Sequence, residues 1–483
     1  SRGLGDVYKR QVQKAKKGMP GGAKRQIFPI FIGSAPNPRS ANPNPNAMKH
    51  PCADLAGSLL CLAACCALLT SCGNAASAPT ADFVRVEEGR FLLGDEPCYF
   101  VGTNFWYGPI LGSEGPGGDR ARLGRELDTL AACGLRNLRV LVGAEGPEGV
   151  PSKIAPILQP APGRYDDALL DGLDYFMQQL ALRGMKAVLY LTNSWEWSGG
   201  YSQYLAWAGA GKAAIPAVDG YRAYVDYVSQ FIPNARARAL YADHVRFIVG
   251  RTNRYTGVRY ADDPTIFSWQ ICNEPRPFGE ENHEVFAEWI GETARLIRSL
   301  DPNHLISTGS EGIVGCEGDE ALTERIHAFP EIDYINIHIW PSNWQWVDKE
   351  HLAEGIDNAL ALTDRYIDQH MAIAERLRKP VVIEEFGFPR DDCRFGRGTP
   401  TTLRDRYYAA LLERLHASAA EGGLLAGVNC WAWGGEAQPA HRDWQPGDPY
   451  CGDPAQEPQG LYSVFGDDAT VALLRKAAQR LAR

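Results

Sequence analysis

The sequence predicts an α/β protein in which residues 83–483 form a single (β/α)8 TIM barrel. Along this part of the chain, short β-rich runs alternate with amphipathic helical stretches eight times, and the composition does not change. Alternation of strands and helices indicates parallel strands, and eight such units suit a closed barrel. A doubly wound open sheet is the alternative, but no Gly-rich phosphate loop follows the first predicted strand.

Each predicted strand is a short run rich in β-branched, aromatic and other apolar residues. The strands are predicted at residues 99–104, 135–142, 186–192, 266–273, 305–308, 332–338, 381–385 and 427–431. The intervening stretches place apolar residues at helical spacing, as Leu123, Leu127 and Leu130 illustrate. Helices are predicted at residues 120–133, 169–182, 221–255, 283–300, 352–377, 403–420 and 470–481, the third being broken at Pro233. A small hairpin is predicted ahead of the barrel, at residues 83–93.

The first fifty residues differ from the rest of the chain. They contain ten Lys or Arg and one acidic residue, and residues 35–46 are rich in Pro and Asn. This stretch has neither helical nor strand periodicity. We interpret residues 1–47 as a disordered segment or as a spurious extension of the reading frame.

Residues 48–72 have the features of an export signal. A short positive segment at residues 48–50 precedes an apolar run at residues 55–69, which is too short to span a bilayer. The run ends in Leu69-Thr70-Ser71-Cys72, which resembles a bacterial lipobox. We therefore predict a lipoprotein signal peptide that is lipidated at Cys72.

An export signal predicts that the protein is located outside the cytoplasm. Residues 73–82, rich in Ala and Ser, would tether the barrel to a lipid anchor at the bacterial cell envelope or cell surface. An ordinary secretory signal is the alternative, in which case the protein is secreted. The sequence leaves open which membrane face bears the anchor.

The part of the chain that is expected to fold is acidic. Residues 51–483 hold 39 basic and 57 acidic residues, a net charge of −18. Such a charge argues against binding to nucleic acid, whose phosphates would be repelled. It suits a neutral polymer as the partner, and we expect the protein to be a monomer.

Cysteine spacing gives no sign of a metal site. The seven cysteines that follow the predicted signal peptide include no CxxC pair and no Cys/His spacing typical of zinc. We expect neither a metal nor an organic cofactor. Cys393 and Cys451 lie in loop-like segments and are candidates for a disulfide, whereas Cys272 and Cys430 lie in strand-like runs and are expected to be buried thiols.

Polar and aromatic side chains stand at the ends of the predicted strands, where a barrel enzyme has its active site. A barrel built only for stability would need neither kind there. They are Asn104, Trp106, Arg139, Asn193, Trp195, Asn273, Glu274, His338, Trp340, Glu385, Trp431 and Trp433.

Glu274 and Glu385 are the two acidic residues in this set. Glu274 ends a β-rich run, and Pro275 prevents further ladder pairing. Strand-end carboxylates from the fourth and seventh strands face each other across a barrel mouth, roughly 5 Å apart in a retaining glycosidase. One protonates the glycosidic oxygen, the other meets the positive charge at the anomeric carbon, and aromatic faces stack on sugar rings.

Each of these residues also has a purely structural interpretation. A carboxylate at a strand end often pairs with an arginine, so Glu384 or Glu385 could simply form an ion pair with Arg139. A strand-end tryptophan often packs in the core, and His338 alone would suit a buried histidine with satisfied hydrogen bonds. The complete set at successive strand ends favours the functional interpretation.

The motifs resemble glycoside hydrolase family 5, a family of (β/α)8 retaining glycosidases in clan A. The resemblance lies in Asn273-Glu274-Pro275, Glu385-Phe386-Gly387, Asn137-Leu138-Arg139-Val140 and Ile337-His338-Ile339-Trp340. Further stretches resemble its endo-β-1,4-mannanase subgroup: residues 102–106, 192–195, 199–200, 203–209 and 307–312. The resemblance covers residues 83–480 with all eight units in order.

This resemblance implies a role for each matching residue. Glu274 would be the acid/base, and Glu385 would be the nucleophile because it directly precedes Phe-Gly. Strand alternation would admit only one of Glu384 and Glu385 to the barrel interior. Asn273 would bind the 2-hydroxyl of the −1 sugar, and Arg139 and His338 would orient the carboxylates. The remaining substrate-binding expectations are Trp431 as the floor of the −1 subsite, and Trp106, Asn193, Trp195 and Trp340 along the cleft.

One position departs from the family pattern. Many relatives carry Tyr two residues after the His, where this chain has Trp340, which can donate only an indole N–H. The departure leaves open the choice between mannose and glucose at the −1 subsite. The aromatic loop at residues 340–346 would favour exo over endo cutting if it closes one end of the cleft.

The leading functional hypothesis is a retaining endo-β-1,4-mannanase that cleaves mannan, galactomannan or glucomannan. A β-1,4-glucanase or an exo-β-mannosidase on the same scaffold is the first alternative. A glycan-binding lipoprotein without catalysis is the second, although its usual mark is the loss of one catalytic carboxylate, and both are present.

Overall fold

The computed structural model describes residues 83–482. The extension predicted at residues 1–47, the signal peptide at 48–72 with Cys72, and the tether at 73–82 lie outside the described residues and stay predictions. Within the described residues, none of the helices combines the length and apolar character needed to cross a bilayer.

Eight parallel strands form the central sheet. They are β4 (Phe100–Asn104), β5 (Asn137–Leu141), β6 (Lys186–Tyr190), β7 (Ile266–Gln270), β8 (Leu305–Ser307), β9 (Ile335–Ile339), β10 (Val381–Phe386) and β11 (Leu425–Cys430), where β1 to β3 precede the barrel. Their order in the sheet is β8-β7-β6-β5-β4-β11-β10-β9. Each strand pairs with its neighbours in sequence except at β8 and β9, which are the ends of this order, and β4 pairs with β11, which brings the first barrel strand beside the last.

Backbone and side-chain hydrogen bonds link the two end strands, β8 and β9. The Asp333 N–H donates to the Ile306 carbonyl over 2.8 Å, and the Asp333 carboxylate accepts from the Ile306 N–H. The Asn336 amide then bridges the residues after β8, accepting from Gly309 and donating to the Ser310 carbonyl. These contacts join the two ends of the sheet into a barrel, and the predicted (β/α)8 barrel is confirmed.

Helices alternate with the strands as predicted. The long helical region breaks before residue 235, leaving Pro233 between two helices, because proline cannot donate a backbone hydrogen bond. The helices are Gly108–Gly112, Arg120–Cys133, Asp167–Leu182, Gly200–Trp207, Pro216–Asp219, Tyr221–Val228, Ala235–Val249, His283–Leu300, Glu320–His327, Leu352–Leu377, Thr402–Glu421 and Ala469–Leu481. Four of them, at residues 108–112, 200–207, 216–219 and 320–327, were not expected from the sequence.

Short strands outside the barrel flank the fold. The predicted hairpin is present as β1 (Val84–Glu87) and β2 (Arg90–Leu93), which pair antiparallel, with β3 (Glu96–Pro97) beside them. A parallel pair, β12 (Trp433–Gly435) and β13 (Val464–Phe465), brackets the loop at residues 436–463. This long loop follows the eighth barrel strand and is rich in Pro, Gly and Asp, and we call it the eighth-strand loop.

A buried polar layer fills the barrel beneath its mouth. Tyr334 lies 2.8 Å from Ser268 and donates to Glu384 over 2.9 Å, and Asn429 donates to the other Glu384 oxygen. The register of β10 against β9 shifts between Ile383 and Glu385, which marks a β-bulge. The expectation that only one of the two adjacent glutamates faces the interior is therefore wrong, since the bulge turns both inward.

The cysteines do not form the proposed disulfide. Within the described residues all seven are free thiols, so the suggested bridge between Cys393 and Cys451 is wrong. Cys451 instead lies 3.2 Å from the Gln459 amide oxygen within its own loop. Cys272 and Cys430 are fully buried, as expected.

Candidate active site

Glu274, His338 and Glu385 meet at the carboxyl end of the barrel strands. Glu274 follows β7, and His338 and Glu385 belong to β9 and β10. One ligand atom from each of the three lies within 4.8 Å of the others. The two carboxylates are thus brought together, close to the roughly 5 Å separation that suits a double-displacement mechanism.

The backbone holds Glu274 in an uncommon conformation. Its φ is +49°, in the left-handed region that non-glycine residues seldom adopt. The Glu274 N–H donates to the Gly309 carbonyl over 2.9 Å, and its own carbonyl accepts from the Ser194 hydroxyl over 2.6 Å. Hydrogen bonds to both neighbouring strand ends therefore fix the turn that carries this carboxylate into the mouth.

The carboxylate of Glu274 has neutral hydrogen-bond donors. His338 Nδ1 lies 2.9 Å from Oε1, and the Trp195 indole N–H donates to Oε2. Burial lowers the pKa of His338 well below its usual value, with Arg139 and Arg276 lowering it further, so the imidazole is neutral. Its Nδ1–H can then donate to Glu274.

Glu385, unlike Glu274, has a charged hydrogen-bond donor in addition to a neutral one. The Arg139 guanidinium donates to Oε1, and the Trp340 indole N–H donates to Oε2 over 3.2 Å. His338 Nδ1 lies 3.4 Å from the same Oε2. The Trp340 indole N–H, at the position that departs from the family pattern, therefore supplies a hydrogen bond to Glu385.

Arg139 connects the two halves of the site. Besides Glu385, it donates to Gln270 over 2.7 Å and to Asn273 over 2.8 Å. Its guanidinium lies over the Tyr190 ring, 4.3 Å from the centroid. Because Arg139 is fully buried and each of its partners is fixed, it does more than form the isolated ion pair of the structural interpretation.

Two asparagines lie beside the carboxylates. The Asn273 amide nitrogen donates to Asn193 Oδ1 over 3.1 Å, and the same oxygen accepts the Trp195 backbone N–H over 3.0 Å. Asn193 and Asn273 also form a parallel β-bridge that extends β6 and β7. This pairing fixes the Trp195 loop against the turn at Glu274.

The pKa values of the two carboxyl groups depend on burial and on the neighbouring charges. Burial raises the pKa of Glu274, while Arg276 and the Trp195 hydrogen bond counteract it. Burial also raises the pKa of Glu385, where Arg139 opposes the shift and the nearby Glu274 adds to it. Two carboxyl groups this close favour sharing one proton.

Aromatic side chains form the walls of the mouth. Trp197 packs edge-on against Trp106 and Trp431, with ring centroids 5.9 Å and 6.5 Å apart. Trp431 also packs against Trp340 at 6.0 Å, and its indole N–H has no hydrogen-bond partner within residues 83–482. Trp106, by contrast, donates to the Gly452 carbonyl and anchors the eighth-strand loop. Trp431 therefore offers a free donor, while Trp106 supports the wall.

Sequence reasoning missed an ion pair next to the site. Arg276 donates to both oxygens of Glu311, over 2.6 Å and 2.7 Å, and its guanidinium lies 5.3 Å from the Trp195 ring centroid. Arg276 directly follows the Asn-Glu-Pro motif, which was the available sign that it belongs to the site. Gln270 and Trp197 were missed as well, because nothing in their local sequence distinguishes them from core residues.

The same three residues are the only set of His, Cys, Asp or Glu side chains, within residues 83–482, that is close enough to hold a metal ion. The Arg139 guanidinium beside Glu385 opposes a cation there. The arrangement is better suited to proton transfer and nucleophilic attack than to a resident metal.

Comparisons with known proteins agree with this geometry. Residues 81–483 match the model of the family described as GH family 5 beta-mannosidase-like. Mannan endo-1,4-beta-mannosidase 1 of Oryza sativa subsp. japonica is 30% identical over 364 residues, covering 72% of this chain and 78% of that protein. A putative mannan endo-1,4-beta-mannosidase 9 of the same species is 29% identical over 382 residues, covering 77% and 86%.

A solved structure is also similar over most of its length. It is a glycoside hydrolase family 5 mannosidase from Rhizomucor miehei in complex with mannosyl-fructose, with 33% identity and a TM-score of 0.77. The match covers 83% of this chain and 97% of that one. The chain therefore belongs to the β-mannosidase-like group of glycoside hydrolase family 5.

Proposed function

We propose that this protein is a retaining glycoside hydrolase that cleaves β-1,4-mannosidic bonds by double displacement, with Glu274 as acid/base and Glu385 as nucleophile. The observation that carries the proposal is the approach of these two buried carboxylates to within 4.8 Å, with Arg139 bound to only one of them. The names of the relatives support mannan, galactomannan or manno-oligosaccharides as the substrate.

The first step forms a covalent intermediate. Arg139 stabilises the anionic form of Glu385, so the shared proton resides on Glu274, whose donors are neutral. Glu385 attacks the anomeric carbon while Glu274 gives its proton to the glycosidic oxygen. The C–O bond breaks, and the leaving sugar departs as an alcohol.

The second step restores the enzyme. A water molecule enters where the leaving group was, and the Glu274 carboxylate takes one of its protons. The water oxygen attacks the anomeric carbon, the bond to Glu385 breaks, and the mannose leaves with its original β configuration. His338 holds Glu274 in place in both steps, because it is neutral and donates to Oε1.

The other predicted residues have consistent positions. Asn273 faces the site between Arg139 and Asn193, where a sugar 2-hydroxyl would lie. Trp431 would form the floor of the −1 subsite with its free indole N–H, and Trp340 would hold Glu385. Trp106, Asn193 and Trp195 shape the cleft walls through the contacts described above.

Substrate assays with single variants test this proposal. The purified protein should release sugars from galactomannan, and Glu274→Gln and Glu385→Gln should each lower kcat by several orders of magnitude with the fold retained. Near-normal turnover in either variant would remove its assigned role. Activity on carboxymethylcellulose without activity on mannan would replace the mannan assignment with the β-glucanase alternative.

Exo action is the second candidate, and one structural feature favours it. Tyr462 of the eighth-strand loop lies 3.2 Å from the Ser342 hydroxyl and packs on Trp340 at 5.1 Å. The eighth-strand loop therefore contacts the aromatic loop at residues 340–346 next to Trp340, which binds Glu385. Loops joined in this place would close one end of the cleft, which favours exo cutting. The description of the family as β-mannosidase-like agrees with this.

Product analysis separates the two modes. With reduced mannopentaose as substrate, an exo enzyme releases mannose and leaves reduced mannotetraose in the first minutes, whereas an endo enzyme releases mannobiose or mannotriose early. Early mannobiose or mannotriose would rule out the exo candidate without affecting the retaining mechanism.

We also propose that the protein is exported, is anchored through Cys72, and acts as a monomer. The support is the leader pattern at residues 48–72 and the acidic charge of the remainder. Labelling cells with an alkyne fatty acid should mark the wild-type protein and leave Cys72→Ala unlabelled. Light scattering of the purified protein should give the mass of one chain, and a stable dimer would refute the monomer proposal.

A further inference from the structure

A cavity of about 260 Å³ lies beside the active-site wall. It is formed by loops after β5 and β6 together with the helix Gly200–Trp207 and the segment after it. All of these segments follow the carboxyl ends of barrel strands, as the active site does. At about 30 Å³ for each water molecule, the cavity has room for several waters or one small ring.

Glu196 connects this cavity to the active site. It lines the cavity and lies between Trp195, which donates to Glu274, and Trp197, which packs against Trp431. A ligand in the cavity would therefore contact the segment that carries two walls of the cleft.

Two polar side chains in the cavity lack partners on other residues. Glu196 and Gln203 are each 7% exposed, and within residues 83–482 the Gln203 amide makes no hydrogen bond while the Glu196 carboxyl accepts only its own backbone N–H. A largely buried carboxyl and amide of this kind usually bind water or a ligand. Burial raises the pKa of Glu196 to about 7, so near neutral pH it can donate as well as accept.

The rest of the cavity combines cationic and apolar groups. Lys153 is buried and donates to the Glu145 carbonyl, and Lys212 is exposed at the rim. Val150 and Ile215 provide apolar surface. Polar groups that can donate or accept, beside apolar surface, match a hexose, which has hydroxyls at its edge and C–H groups on its face.

We propose that this cavity is a second carbohydrate site that binds one neutral hexose ring through Glu196 and Gln203. The proposal rests on the proposed function in one respect, because the hexose is taken from the sugars that a mannan hydrolase meets. The ring is either a free monosaccharide or a sugar unit of a polysaccharide that also occupies the cleft.

Blocking the catalytic site isolates the second one. A 2-deoxy-2-fluoromannosyl fluoride should trap Glu385 covalently, after which mannose and galactose are titrated by calorimetry and ligand-observed NMR. We expect one saturable site on the blocked protein, weakened about tenfold or more by Glu196→Gln or Gln203→Ala. Glu148→Gln, an exposed glutamate in the loop after β5 that does not line the cavity, should leave the affinity unchanged.

Three outcomes would overturn the proposal. They are no binding of either sugar to the blocked protein, unchanged affinity in both cavity variants, and an equal loss in Glu148→Gln. If the fluorosugar fails to label Glu385, the proposed function fails, and the same titrations on Glu385→Gln still decide whether the cavity binds hexose.

Kinetics distinguish the two sources of the ring. A polysaccharide unit in the cavity predicts that Glu196→Gln raises KM for galactosylated manno-oligosaccharides and leaves KM for mannotriose unchanged. If Glu196→Gln leaves KM unchanged for both substrates while the free sugar still binds to the wild type, the cavity is assigned to a monosaccharide.

Discussion

At the scale of single residues, the two carboxylates differ chiefly in the charge of their donors. Glu385 receives a guanidinium N–H from Arg139, whereas Glu274 receives an indole N–H and lies against a neutral imidazole. A cationic donor favours the ionised carboxylate far more than a neutral donor does. The roles of acid and nucleophile thus follow from the partners of each residue rather than from its depth of burial.

Azide rescue tests these roles separately. With an aryl β-mannoside that has a good leaving group, Glu274→Ala should still form the covalent intermediate, and azide should then speed turnover and yield the β-mannosyl azide. Glu385→Ala lacks the nucleophile, so azide attacks directly and the α-mannosyl azide is expected. Product configuration is read by NMR, and exchanged configurations would mean that the two roles are reversed.

A second residue-scale prediction concerns Trp195. Its indole N–H lowers the pKa of Glu274, because the hydrogen bond favours the carboxylate. Trp195→Phe removes that donor, so the pKa of Glu274 should rise. Since the acid must be protonated for turnover, the alkaline limb of the profile of kcat against pH should move to higher pH.

Trp207→Phe is the matched control, because Trp207 is a partly buried tryptophan that packs on Tyr204. An alkaline limb that stays in place in Trp195→Phe would contradict the hydrogen bond assigned between Trp195 and Glu274.

At the scale of elements, the strands and most helices could be predicted because short apolar runs alternate with helical periodicity. Glu274 and Glu385 could be paired for the same reason, since every parallel strand ends at one face of a barrel. The bulge before Glu385 could not be predicted, because it depends on the register of β10 against β9. The contact between Arg276 and Glu311 depends on how two loops fold over each other, and no local pattern encodes that.

The eighth-strand loop provides an element-scale prediction. The Asp453 carboxylate accepts the backbone N–H groups of Gly460 and Tyr462, over 2.8 Å and 2.9 Å, and that of Ser463 over 3.1 Å. Asp453→Ala leaves these donors without their acceptor at a cost of about 1–3 kcal/mol each where they stay buried. We expect faster proteolytic cleavage within residues 436–463 and a higher KM.

Asp443→Ala is the control for this loop. Asp443 is exposed in the same segment, and within residues 83–482 its carboxylate contacts only the neighbouring Arg442. Cleavage at equal rates in the two variants would show that Asp453 does not hold the loop.

At the scale of the whole molecule, the cysteines mark a limit of sequence reasoning. Cys393 and Cys451 both lie in loops, yet a disulfide needs a specific Cα separation that sequence position does not give. The buried carboxyl groups could not be predicted either, because their pKa depends on surroundings assembled from distant segments. Burial raises the pKa of four of them to about 7 or 8: Glu145, Glu196, Glu311 and Glu457.

These groups predict how stability depends on pH. A glutamate in the unfolded chain has an ordinary pKa of 4.5, so between pH 6.5 and 7.5 these four groups hold more protons in the folded state than in the unfolded state. The free energy of unfolding should therefore fall as pH rises through this window. Two kinds of group act in the opposite direction: the buried Lys153 and Lys379, whose pKa is lowered to about 8, above this window, and the buried histidines, whose pKa is lowered, below it.

Thermal denaturation in a buffer series measures this effect. Tm should be higher at pH 6.5 than at pH 7.5, and Glu145→Gln should reduce the difference because it removes one group that titrates near pH 7. A Tm that rises steadily over this range would contradict the predicted proton uptake.

The left-handed backbone at Glu274 has a consequence for robustness. A side chain in that region is strained, whereas glycine adopts it freely. Glu274→Gly and Glu274→Ala both leave the His338 and Trp195 donors without their acceptor, but only alanine keeps the strain. Glu274→Gly should therefore melt above Glu274→Ala, and an equal or lower melting point would contradict this. Once the acid is lost, selection for heat tolerance alone would favour glycine at this turn, so thermal selection on this enzyme has to be coupled to a turnover assay.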